Sequence, residues 1–335
     1  MKLTTTRRAF ARKISALAIA TTALTGMSSG VFADTSLRMA VPDPIGSSVG
    51  RAATRFAELV ADKTDGEVTI QVFPDGVLFG GDQNAAVNQL GSGALDSLIL
   101  ASSVYASFEP RMNAIALPYL FADYDQLQAY LSGEPGEELL GSLDRLGIHG
   151  LGFFLRTFRN VTTKETAITT LEDFEGLTLR TPNNPLFVAL FQELGANPTP
   201  MAFSEVYTAL QLGAIDGQEN PLSVIVSVKL NEVQKYLTLS GHVYSPAMIL
   251  VSRPFWEGLD DDQKAAFDRA AVEAGAAMRA FVDEVETSGV ETLKERGMEV
   301  NELSAEEKAA FQASIEAAYE GYYETYGEDL VQSIV

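Results

Sequence analysis

The 335-residue chain has no cysteine, one tryptophan and only two histidines, His149 and His242. The missing cysteine removes disulfides, thiolate nucleophiles and cysteine metal sites together. Each histidine lies beside a segment that reads as a strand, where a structural role is the ordinary one. No glycine-rich phosphate loop and no nucleophile elbow occurs. Carboxylates are so abundant that no pair of them stands out. The sequence therefore offers no catalytic grouping, no metal site and no cofactor motif.

Basic residues are also scarce, 24 Lys and Arg against 45 Asp and Glu, for a net charge of −21. Five of the 24, Lys2, Arg7, Arg8, Arg12 and Lys13, fall in the first 33 residues, which hold no acid; the rest of the chain has 19 against 45, a net of −26. Such a surface repels nucleic acid and anionic lipid. It repels an anionic ligand at long range too, so any anion site has to be a local positive pocket. Solubility or a salty habitat accounts for the acidity without invoking function.

Long apolar runs are absent as well. After the first 33 residues nothing approaches the roughly 18 uninterrupted apolar residues of a spanning helix. The opening stretch has the basic start, modest apolar middle and small-residue end, Val31-Phe32-Ala33, of a cleavable export signal. Cleavage after Ala33 would leave a chain starting at Asp34, destined for the periplasm. Thr6-Arg7-Arg8-Ala9-Phe10 resembles the twin-arginine pattern, so general secretion and twin-arginine export both stay open.

About 300 remaining residues exceed what one core usually organises, which predicts two lobes. The hydrophobic pattern alternates between strand and helix: Leu37–Val41 strand, Gly50–Lys63 helix, Val68–Phe73 strand, Asp82–Leu90 helix, Leu95–Ala101 strand, then helices at Tyr124–Leu131 and Glu137–Leu146 and a strand at His149–Leu155. In the second half Thr170 to Asp173 resembles a capping box, Leu177–Arg180 reads as a strand, and Asn184-Pro185 opens a helix to Leu194. Ser204 is expected to cap a helix over Glu205–Leu212, and Asn220 to precede a helix with Pro221 in its first turn. From Asp261 to Arg296 no proline interrupts a helical composition, roughly 50 Å at 1.5 Å per residue. A helix of that length spans both lobes. Ser304 caps a last helix ending near Tyr319 to Tyr323. The fold class is α/β.

The informative stretch runs from Arg156 to Pro221, with LRTFRNVTTK, LEDFEGLTLRTPNNP and PMAFSEVYTALQLGAIDGQENP in order. On residues alone Arg180 is either a strand-end arginine at a cleft or a surface arginine paired with Glu172 or Glu175. Asn183 can serve a turn, Asn220 a helix N-cap, and Phe203 plain core packing.

Together with ALPYLF, FPDGVLFGGDQ and GSGALD, these motifs resemble the substrate-binding subunits of tripartite ATP-independent periplasmic (TRAP) transporters, the DctP-like group. The resemblance covers nearly all of the chain after residue 33. It implies a two-lobed periplasmic-binding-protein clam of type II-like form, its lobes joined by crossing strands and a long helix. The expected division is 34–156 with 246–285 in the first lobe and 157–245 with 286–335 in the second. It also implies that Arg180, the arginine of GLxxR, grips a ligand carboxylate. A planar guanidinium, which gives two parallel charge-assisted bonds and stays charged when desolvated, suits that role.

By the same resemblance Asn183 and Asn220 hold the ligand, Phe203 packs on its carbon skeleton, and Arg159 is a second cleft arginine. One extra residue separates Arg159 from the GLxxR motif, and Arg156 is the alternative. Gln83 is the first-lobe polar contact. An acid that some sialic acid-binding relatives carry is absent where this chain reads Ile99-Leu100-Ala101-Ser102-Ser103, which argues against sialic acid. The implied function is non-enzymatic capture of a small organic acid, a hydroxylated sugar acid such as a uronate, and delivery to TRAP membrane permease subunits, as a monomer or a dimer. A C4-dicarboxylate or keto acid, an ATP-driven importer or sensor, and an exported enzyme acting on an acidic sugar are the alternatives.

Overall fold

The structure, a computed structural model, describes residues 35–314. The export signal, its cut after Ala33 and the Tyr319 to Tyr323 end of the last helix lie outside the described residues.

The strands are β1 (Thr35–Ala40), β2 (Val68–Phe73), β3 (Ser97–Ala101), β4 (Ile148–Phe154), β5 (Arg159–Thr163), β6 (Thr178–Thr181), β7 (Asn197–Pro200), β8 (Gly217–Pro221), β9 (Tyr236–Val243), β10 (Ala247–Ser252) and β11 (Glu299–Glu302). The helices are α1 (Ser48–Lys63), α2 (Gln83–Gly91), α3 (Ser102–Tyr105), α4 (Tyr124–Leu131), α5 (Glu134–Gly141), α6 (Pro185–Glu193), α7 (Phe203–Leu212), α8 (Leu222–Ser227), α9 (Arg253–Gly258) and α10 (Asp261–Glu295).

Two mixed sheets organise these elements, one in the order β2-β1-β3-β10-β4 and one in the order β11-β9-β5-β8-β6-β7. They are built alike. In the first, β2, β1 and β3 are parallel and β10 runs antiparallel between β3 and β4. In the second, β7, β6 and β8 are parallel and β5 runs antiparallel between β8 and β9. The antiparallel strand of each sheet, β5 or β10, is the one that arrives from the other sheet. The α/β reading and the two-lobed architecture both hold.

Burial follows the pleat. In the central strands β3 and β10, Leu98, Leu100, Met248 and Leu250 turn to one core with Tyr105, Met112 and Leu127. Ile99, Ile249 and Val251 turn to another with Phe56, Phe267 and Met278. The second sheet has its own cores, around Phe174, Phe187 and Phe191 on one side and around Leu210, Leu237 and Leu293 on the other. Ala114, Ala116 and Leu117, from ALPYLF and the residues before it, pack in the core of Phe174. β7, with two prolines, lies at the sheet edge, where a missing N–H breaks no ladder.

α10 opens with a capping box between Asp260 and Gln263 and continues unbroken for 35 residues. Its Phe267, Ala270, Ala274 and Met278 pack in the core of α1, and its Leu293 in the core of β9. Gly275 comes against Phe154 and Gly289 against Leu222, so one helix buttresses both sheets.

Two local expectations need correction. α7 starts at Phe203 with Ala202 as its cap, so Ser204 is not the cap; its hydroxyl reaches Gly81 instead. Asn220 is the fourth residue of β8 and the cap of α8 is Pro221, so Asn220 is not an N-cap either. The strand continues to the proline because its partner β5 pairs Arg159 with Pro221 and Asn160 with Asn220.

Candidate ligand-binding site

The site forms where the two sheets present strand ends to each other. From the first sheet come Pro42 and Asp43 after β1, Ile99 to Ala101 at the end of β3, and Ala247 at the start of β10. From the second come Arg159 at the start of β5, Arg180 and Pro182 at the end of β6, and Asn220 at the end of β8. Because β5 is antiparallel to β8, its first residue lies at the same edge as the last residues of its neighbours. Carboxyl ends of parallel strands are the usual ligand edge of such sheets. Phe203 at the start of α7 and Gln83 at the start of α2 complete the wall.

Arg180 is 2 % exposed. Its Nε and Nη2 both donate to the Met201 carbonyl, at 3.2 and 2.7 Å. Among the described residues no carboxylate lies within ion-pair distance of it, Glu172 and Glu175 included, which removes the surface salt-bridge reading. Burial pulls its pKa down to about 9, against the attraction of Glu219. It remains a cation at neutral pH, desolvated and without an adjoining anion.

Arg159 differs. Its guanidinium grips Glu219, with Nε on Oε2 and Nη2 on Oε1 at 2.7 Å, while Nη2 also donates to the Glu219 carbonyl at 2.8 Å. It lies over the Phe187 ring, 5.2 Å from its centroid. Burial would raise the pKa of the fully enclosed Glu219, but the Arg159 charge and the adjoining His242 outweigh it and hold that pKa below the usual carboxylate range. His242 Nε2 stands 3.4 Å from Glu219 Oε2, and its Nδ1 is 2.8 Å from Ser240 Oγ. Burial depresses the His242 pKa, against the opposing pull of Glu219.

Arg156 lines the same cavity, so both candidate arginines are present rather than one. It is buried, and its Nε has no hydrogen-bond partner among the described residues. Burial lowers its pKa, with Asp43 pulling the other way. The lining thus carries Arg156, Arg159 and Arg180, with Asp43 in the wall and Glu219 behind Arg159: a local positive excess in an acidic protein.

The space they enclose is about 30 Å³, room for one or two waters. Two side cavities of about 260 and 270 Å³ adjoin it, both touching Gln83.

The family model for bacterial extracellular solute-binding protein, family 7 (DctP), matches residues 41–325. The chain belongs to this family. A DctP-family relative, the 2,3-diketo-L-gulonate-binding periplasmic protein YiaO of Escherichia coli K12, is 35% identical over 277 residues, 83% of this chain and 84% of that protein. The C4-dicarboxylate-binding periplasmic protein DctP of Rhodobacter capsulatus is 36% identical, covering 78% and 79%. A solved TRAP periplasmic solute-binding protein from Bordetella bronchispeptica, with density assigned as pantoate, superposes with a TM-score of 0.86 at 40% identity, covering 90% of this chain and 98% of that one. The family is periplasmic and binds small acids. No helix among the described residues is long and apolar enough to cross a membrane.

Of the DctP-family positions expected from the motifs, Arg180, Arg159, Asn220, Phe203 and Gln83 meet in one cavity. Asn183 does not join them. It is exposed and lines the 270 Å³ side cavity with Gln83, and its carbonyl accepts from Ser107 Oγ at 2.7 Å. The next residue, Asn184, is buried, and its Nδ2 donates to Ser103 O and Asn113 Oδ1, both at 2.8 Å, tying the start of α6 to α3 and the segment after it. Glu219 and Asp43 went unrecognised in the sequence, where 45 acids hide any two. The position of Glu219 inside QENP, between a buried glutamine and a cleft asparagine, was the one available signal.

Proposed function

We propose that the protein captures a small hydroxylated monocarboxylate, such as a uronate or another sugar acid, and hands it to TRAP membrane permease subunits without chemical turnover. The observation that carries this is Arg180, a buried guanidinium with no counter-anion among the described residues, at the shared strand edge of the cleft. A ligand carboxylate supplies the missing charge with two parallel hydrogen bonds. Asn220 lines the same cavity, its Nδ2 donating to Gln218 Oε1 with one N–H left for the ligand and its Oδ1 accepting from Arg159 Nη2 at 3.4 Å, and Phe203 offers an apolar face for the carbon chain. A diketogulonate and a pantoate, the solutes named for two relatives, are both monocarboxylates with further oxygen functions.

In this reading the lobes, 34–156 with 246–285 and 157–245 with 286–335, close on the ligand, and the closed form docks on the permease. A ligand favours closure only by the contacts it gains there. Export by the signal in residues 1–33 places the protein in the periplasm. A C4-dicarboxylate is the second reading, supported by the unpaired Arg156 as a second cation and by the Rhodobacter relative.

A thermal-shift screen of uronates, aldonates, dicarboxylates and neutral sugars tests the proposal. A sugar acid at 100 times its Kd should stabilise the protein by about 2.7 kcal/mol. Stabilisation by neutral sugars with none by any acid would overturn it.

A further inference from the structure

Two opposite charges in the cavity wall have no salt bridge to each other. Asp43 is held between Pro42 and Pro44 after β1, its backbone carbonyl accepting from Asp75 N–H at 3.1 Å. Its side chain is 4 % exposed and makes no hydrogen bond among the described residues. Arg156, in the link from β4 to β5, is 6 % exposed with its Nε unpartnered. Both line the cavity that Arg180 and Asn220 close from the second sheet, and no pair of their charged atoms comes within 4.0 Å. Burying charges unpaired is costly, and a ligand group that bridges them relieves it.

We propose that Asp43 and Arg156 together read a hydroxyl at the end of the ligand away from its carboxylate, and so select hydroxy acids over dicarboxylates. An ionised carboxylate only accepts hydrogen bonds and a guanidinium only donates. A hydroxyl answers both, donating to Asp43 and accepting from Arg156. A second ligand carboxylate satisfies Arg156 but faces Asp43 with like charge; an ammonium satisfies Asp43 but faces Arg156. Burial and the Arg156 charge act in opposite directions on Asp43, the former prevailing to raise its pKa, as expected for a carboxyl whose partner is incomplete. This inference rests on the proposed carboxylate grip of Arg180 and adds what lies at the opposite end of the ligand.

The test uses matched probes in which a terminal CH₂OH is replaced by a carboxylate: D-galactonate with galactarate, and D-erythronate with meso-tartrate. Calorimetric titration of the wild type should give the hydroxy acid at least tenfold tighter binding than its diacid partner. Asp43→Asn, which keeps the volume and removes the charge, should shrink that ratio at least tenfold, the diacid gaining as the hydroxy acid loses. Arg156→Gln should widen it, because Asp43 is then unopposed, and this second variant reads the same pair should Asp43→Asn fail to fold. An unchanged ratio in Asp43→Asn, or a narrowed one in Arg156→Gln, overturns the inference while leaving the acid-binding proposal standing. Failure of every acid to bind the wild type overturns both.

Discussion

Ser204 Oγ, on α7 of the second sheet, donates to the Gly81 carbonyl before α2 at 3.3 Å, and a methyl built on Gly81 would fall 2.5 Å from the same oxygen. FGGDQ and MAFSEVY, far apart in the chain, thus touch at the rim of the cleft. Gly81→Ala should hinder this approach and weaken ligand binding about tenfold, mostly through faster release. Because Gly81 has a φ of +79°, strain also enters; Gly80, at φ +61° with open space around it, is the control. Gly80→Ala should lose about 1 kcal/mol of stability and keep its affinity. Equal affinities for the two variants in stopped-flow and calorimetry would refute the role of this contact.

Arg180→Ala should cost about 2–5 kcal/mol of binding to any acid the wild type binds, since the ligand carboxylate would lose its charged partner in a desolvated cavity. The ligand-free melting temperature should stay level or rise, because a buried cation without a counter-anion is removed. Retained acid affinity in calorimetry would refute the grip.

The two asparagines should separate. Asn220→Ala should weaken binding about tenfold, the worth of one charge-assisted hydrogen bond. Asn183→Ala, outside the main cavity, should change affinity less than about twofold. The reverse order would return Asn183 to the ligand.

Glu219→Gln should destabilise the protein by about 3–5 kcal/mol, because Arg159 is left as a buried unpaired cation. Urea unfolding measures this directly. A loss below 1 kcal/mol would mean that Arg159 finds another partner.

His242 has a folded pKa below its ordinary 6.5, so as pH falls through 6.5 the unfolded chain takes up a proton that the folded one refuses. Its contribution to stability is complete above that pH and declines toward the folded value. His149, stacked on Trp256 at 4.0 Å, is shifted the same way by burial and adds to the slope. His242→Gln should therefore show a flatter stability profile below pH 6.5 than the wild type, although a lower one. Parallel profiles in urea titrations across pH 5–7.5 would contradict the shift.

Much of the fold was legible because its signals are local. Alternating apolar residues located β2, and Asn184-Pro185 marked a helix start that the structure keeps. Ser204 and Asn220 were misread because a good capping residue is only a preference. At Ser204 the first turn already began at Phe203; at Asn220 pairing with Asn160 carried the strand onward. β8, Gly-Gln-Glu-Asn-Pro, is wholly buried although almost entirely polar, a placement that hydropathy argues against.

The sequence by itself determined that a cysteine-free α/β chain carries Arg180 at the end of a strand. It did so because helix caps, strand periods and a dense motif are encoded by residues close together in the chain. Only the tertiary structure decided which charges share a cavity. Arg159 lost its freedom to Glu219, Arg180 kept its own, and Arg156 met Asp43 across a gap, since partners set by strands crossing between two sheets are separated by up to about a hundred residues that no local pattern connects.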